Sequence, residues 1–107
     1  MTSVEQQLDT LRSQFTEHSE RRIAEMRQLL AELQTDPANS GALHKLRVHF
    51  HSFAGMGTTY GHPEATALGD RGEGQTLELL RKERRPTRND LAGWAEIVDA
   101  LSAELEA

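Results

Sequence analysis

The stretch LHKLRVHFHSFAGMGTTYG, residues 43–61, decides how this chain is read. Its apolar residues recur at three- and four-residue steps, the period of an α-helix and not of a strand. At about 100° per residue, Leu43, Leu46, Phe50, Phe53, Gly57 and Tyr60 fall on one stripe, which is predicted to face a core. The opposite face gathers His44, Val48, His51, Ser52, Gly55 and Thr59. A face turned only to solvent would carry Glu, Lys, Gln or Ala, as the first helix does at Glu25, Arg27 and Gln28. Here small and apolar residues surround a histidine.

Gly55 is the sharpest feature of that face. A core glycine is explained by close helix packing, which is the reading for Gly57. Gly55 points away from the core and costs the helix about 1 kcal/mol relative to Ala. It lies one turn beyond His51 on the same side, so the expectation is that something large approaches the His51 ring there. Val48, one turn before, offers that visitor an apolar contact.

The flanking sequence supplies three more helical segments. Val4, Leu8, Leu11 and Phe15, then Ile23, Met26, Leu30 and Leu33, keep a 3–4 spacing, although Thr16 to Arg22 holds no apolar residue. That segment reads either as two helices or as one long helix with an overhanging end. Thr35-Asp36-Pro37 stops it, and Asp36, Asn39 or Ser40 is placed to cap the next helix, which is predicted over about Ala38 to Thr59. Gly61 closes that helix and His62-Pro63-Glu64 opens a third. The third reads weakly at first, because Gly69, Gly72 and Gly74 each disfavour a helix interior. Leu77, Leu79 and Leu80 strengthen its end, and the basic run Arg81 to Arg85 precedes Pro86. A fourth helix from about Thr87 or Asn89 shows Leu91, Trp94, Val98, Leu101 and Leu105. Short connections between four such helices predict an all-α, antiparallel four-helix bundle formed by a single domain over 1–107.

Composition narrows the function classes. A chain of 107 residues with 36% apolar residues suits one small bundle, in which each helix needs one apolar stripe. The formal charge of −5 argues against a nucleic-acid binder. No Cys is present, which excludes disulfides and thiol chemistry. The polar, acidic opening MTSVEQQLD is unlike a signal peptide, no apolar run reaches the roughly 20 residues of a membrane span, and a cytoplasmic location is the expectation. Metal binding is not expected. His44 and His51 are about 10.5 Å apart along a helix, too far to share one ion, and no His pair at i, i+4 exists.

The block His51-Ser52-Phe53-Ala54-Gly55-Met56-Gly57-Thr58-Thr59-Tyr60-Gly61 resembles the phosphoacceptor motif of bacterial histidine-containing phosphotransfer (HPt) domains. In that motif the His is followed by an apolar residue at the second position, Gly at the fourth, small residues, and a helix-ending Gly. Pro63-Glu64 with Ala65 and Leu68 is also similar to the family's next helix. The resemblance implies a bundle whose exposed His51 takes a phosphoryl group from a receiver-domain aspartate or returns it, Nε2 being the attacked atom. It implies a phosphorelay carrier and not an ATP-dependent kinase, and the chain has neither a P-loop nor a kinase Gly-rich loop. The partner is then a response-regulator receiver domain or a hybrid sensor kinase, with no nucleic acid and no membrane.

Around His51, the expected partner-binding residues are His44, Arg47, Val48, Ser52, Ala54, Gly55, Thr58 and Thr59. Many family members have Lys three residues after the His, and here Ala54 stands in that position. Arg47, with Lys45 and Arg71 behind it, is the candidate substitute for the lost cation. No carboxylate cluster beside His51 is legible, so no cofactor is assigned to the chain and Mg²⁺ is expected on the receiver. His49 reads as a structural residue at the flank of the core, and His62 as loop. The alternative function is a helical docking module that binds a receiver or kinase without phosphotransfer. A monomer is expected, although an overhanging first helix would offer a surface for a dimer.

Overall fold

A computed structural model of the chain describes residues 3–106, so Met1 and Thr2 of the polar opening, and Ala107, lie outside the described residues. Four α-helices follow one another: α1 (Val4–Thr35), α2 (Ser40–Met56), α3 (Pro63–Arg81) and α4 (Arg88–Glu106). No strand occurs among the described residues, and the fold is an all-α four-helix bundle. None of these helices is long and apolar enough to cross a membrane.

Each boundary has a local cause. Ser3 caps α1 through a reciprocal pair, its Oγ accepting from the Gln6 amide and its own amide donating to Gln6 Oε1, both at 3.1 Å. Asn39 caps α2 by accepting from the Ala42 amide at 3.0 Å. Pro63 begins α3, where its missing N–H costs nothing. Thr87 and Asp90 exchange side-chain and backbone bonds of 3.1 and 2.8 Å at the start of α4. The C-terminus of α3 closes with the Glu83 and Arg84 amides donating back to Leu80 and Leu79. That closure puts Glu83 at φ 51, where glycine is the usual residue.

One open alternative is resolved and the bounds of one helix move. The first segment is one continuous helix of 32 residues, because Thr16 to Arg22 is helical throughout and Ser19 within it is buried. The second helix ends at Met56, not at Thr59, and Thr58–Tyr60 forms a separate 3₁₀ turn. Gly61, at φ 86, then reverses the chain into α3.

One core joins all four helices. Met26 and Leu33 of α1, Leu46, Phe50 and Phe53 of α2, Ala65 of α3, and Trp94, Ile97, Val98 and Leu101 of α4 are almost wholly buried. The glycines of α3, which weaken it as an isolated helix, are packing residues. A Cβ on Gly72 would stand 2.5 Å from the Phe50 ring, and one on Gly69 would stand 2.5 Å from the Ala54 amide nitrogen. Removing both side chains lets α3 lie directly against the backbone of α2. Gly57 does the same at the turn, where a Cβ would meet His62 and Thr66 atoms at 2.7 Å.

Candidate functional site

The close approach of α3 to α2 builds the site. Phe50 faces inward onto Gly72, so its neighbour His51 emerges at the edge of the α2–α3 seam. Glu73, next along α3, reaches the same edge. Its Oε2 lies 2.5 Å from His51 Nδ1, while the His51 side chain remains 66% exposed. A carboxylate accepts, so this contact assigns the proton to Nδ1. No hydrogen bond is made to Nε2 among the described residues, which leaves its lone pair turned to solvent chemistry. One ring nitrogen is therefore held and the other is free.

Arg47 shares the carboxylate. Its Nη1 is 3.5 Å from the same Glu73 Oε2, a long contact, and its side chain is about one-quarter exposed. The sequence-level candidate for a nearby cation is thus brought to within one carboxylate of the His51 ring. Ala54 is half-buried with Gly69 packed on its backbone.

The surface beside the ring is open. A Cβ placed on Gly55 would meet nothing within 4 Å. Val48 is exposed at 39% and Met56 at 41%. Between them Ser52 is half-buried and donates to the Val48 carbonyl at 3.2 Å. His44 and Thr59 are exposed and belong to the outer face. The Thr58 side chain has a structural engagement: its hydroxyl donates to Thr66 Oγ1 at 2.9 Å, and its amide donates to the same oxygen at 2.8 Å. It ties the 3₁₀ turn to α3, while Thr58 itself stays exposed on the outer face.

Two residues of this site were not read from the sequence. Met56 follows Val48 and Ser52 at four-residue steps, so the helical period held its signal. Glu73 is 22 positions from His51, and only the glycine packing of α3 brings it there. The expectation that no carboxylate cluster stands beside His51 is modified by this one carboxylate. Among the described residues no group of three or more His, Cys, Asp or Glu that could hold a metal occurs.

His49 differs in every respect. Its side chain is 12% exposed, Nε2 lies 2.9 Å from Glu25 Oε2, and Arg22 Nη1 lies 3.1 Å from Nδ1. Arg22 can only donate, so Nδ1 accepts and Nε2–H donates to Glu25, the pattern of a neutral imidazole. Its pKa is lowered from the ordinary histidine value, chiefly by burial, with Arg22 adding to the effect and Glu25 opposing it.

No protein-family model matches the chain, and no match was found among curated proteins or solved structures.

Proposed function

We propose that this chain is a phosphoryl carrier of the HPt kind, which exchanges a phosphoryl group between His51 and receiver-domain aspartates. The observation that carries the reading is the half-engaged imidazole. Nδ1 of His51 is bound to Glu73 and Nε2 is free, on an exposed face where Gly55 leaves the approach clear.

The chemistry follows from that arrangement. The Nε2 lone pair attacks the phosphorus of an aspartyl phosphate. The P–N bond forms as the P–O bond to the aspartate breaks, and the aspartate leaves as a carboxylate. Positive charge that develops on the ring is balanced by Glu73 at Nδ1. The reverse step regenerates the aspartyl phosphate, so phosphate can run either way. Mg²⁺ and the groups that neutralise the transferring phosphoryl come with the receiver, and His51 serves as nucleophile without a nucleotide site of its own. Val48 and Met56 supply apolar contact for a small, transient interface.

The test is phosphotransfer from labelled, phosphorylated receiver domains and kinases to the wild-type chain and to His51→Gln. Acid-labile labelling of the wild type alone is the expected result. Label on His51→Gln would overturn the site. Receiver binding without label from any donor would replace the carrier by the docking module.

A further inference from the structure

Among the described residues, the N-terminal part of α1 is a helical segment exposed on every face. The helix of 32 residues is about 48 Å long, against about 28 Å for the 19-residue α3 and α4. The molecule accordingly measures 52 × 21 × 21 Å. Residues 4–14 are exposed, and they carry Val4 at 70%, Leu8 at 45% and Leu11 at 47% exposure. These three do not lie on a random face. With Phe15 they continue the stripe of Ser19, Ile23, Met26, Leu30 and Leu33 that α1 buries against its own bundle. Three turns of helix with an uncovered apolar stripe are marginal in water.

We propose that this overhang pairs with the same segment of a second copy of the chain, as an antiparallel two-helix seam. The spacing is self-complementary. Laid head to tail, Leu8 meets Leu11 of the second copy, and Val4 meets its Phe15, giving four layers related by a two-fold axis. The flanks agree with the same register. Glu5 and Arg12 lie on one side of the stripe, and Gln7 and Gln14 on the other. Reversal sets Glu5 opposite Arg12 of the second copy, twice, and Gln7 opposite Gln14. Within its own helix Arg12 has only a 3.9 Å contact to Asp9, with both side chains more than 60% exposed, so it is available.

The bundle itself selects the direction. Because the stripe faces the chain's own α2 and α4 from Ser19 onward, a parallel partner would have to place its bundle where the first already stands. An antiparallel partner occupies only the empty space above the bundle and carries its own bundle beyond the first copy's tip. In this register Val4 of the second copy reaches the mouth of a groove lined by Leu11, Phe15, His18, Ser52, Met56 and Tyr60. Phe15 is stacked on Tyr60 there, with ring centroids 4.6 Å apart and an interplanar angle of 5°. The seam is short, toward the lower end of specific interfaces at about 1,200 Å² in total, so micromolar association is expected.

Sedimentation equilibrium of the full chain from ~1 to ~300 μM tests the proposal across that range. Mass rising from 12.0 kDa toward twice that value is the expected result. Leu8→Glu with Leu11→Glu weakens association about 100-fold with the melting of the bundle, followed at Trp94, retained, since neither residue enters the core. Glu5→Arg weakens it about threefold, and Arg12→Glu added to it restores the loss. The absence of Cys gives a direct reading of register. Gln7→Cys chains mixed with Gln14→Cys chains cross-link on mild oxidation, and each alone does so poorly. A mass fixed at 12.0 kDa, a dimer indifferent to the Leu8/Leu11 substitutions, or preferential Gln7-to-Gln7 cross-linking would each overturn it. So would a monomer whose receiver binding is lost with those leucines, which would assign the stripe to the receiver instead.

Discussion

His49 and His51 stand two residues apart on α2 and meet opposite surroundings. At His49 both ring nitrogens are bonded, burial lowers the pKa of the ring, and the side chain fastens α2 to α1 through Arg22 and Glu25. At His51 only Nδ1 is bonded, and the free nitrogen faces an approach that no side chain obstructs. The same amino acid on the same helix is a structural bracket in one place and, in the function proposed above, the nucleophile in the other. What separates them is whether the protein consumes the second nitrogen's lone pair.

The largest expected effect comes from exchanging the two environments' roles. His51→Gln is expected to abolish phosphate acceptance outright, whereas His49→Gln retains it and lowers thermal stability, as read by labelling and melting on the same preparations. Comparable loss from both substitutions would break the contrast. Next in size is the approach to the ring. Gly55→Leu adds a side chain in open space, so transfer should fall by about 10- to 100-fold. The helix, relieved of a glycine, should melt no lower and gain up to about 1 kcal/mol.

The carboxylate that holds Nδ1 sharpens the comparison further. Glu73→Ala is expected to slow transfer about tenfold in single-turnover measurements, with Glu73→Gln, which keeps an acceptor oxygen, losing less. Gly72→Ala should produce a related loss by another route. Its Cβ collides with the Phe50 ring, costs about 1–3 kcal/mol, and moves α3 away from His51.

The smallest effect is the pH dependence of stability contributed by His49. Its folded pKa lies below the ordinary 6.5, so the unfolded chain binds the proton more readily. The contribution is complete above about pH 6.5 and is lost as pH falls below it toward the folded value. Denaturant midpoints of the wild type should therefore decline more steeply between about pH 7.5 and 5.5 than those of His49→Gln.

Much of this was legible in the chain. The inward and outward faces of α2 follow from the helical period, and so does the core stripe of α4, because each depends on residues within a few turns of one another. Gly55 was readable as an outward glycine without a structural return. Glu73 was not, since its place beside His51 depends on how near α3 comes, and that distance is fixed by Phe50 meeting Gly72 across the seam. Sequence shows a glycine's local cost more readily than the contact it permits. The same limit applies to α1, where the apolar gap from Thr16 to Arg22 leaves one helix or two equally readable, and buried Ser19 and stacked Phe15 carry a single helix through it.

Trp94 gives the molecule an internal gauge. It is the chain's single tryptophan, it is 1% exposed, and its indole N–H donates to Gln75 Oε1 on α3 at 3.0 Å. Its emission therefore registers the packing of α3 on α4 and nothing of the solvent-facing tip of α1. An unfolding curve followed by fluorescence isolates the cohesion of the bundle, while far-ultraviolet ellipticity also counts the overhanging turns. Divergence of the two signals on dilution would be the optical signature of those turns melting by themselves.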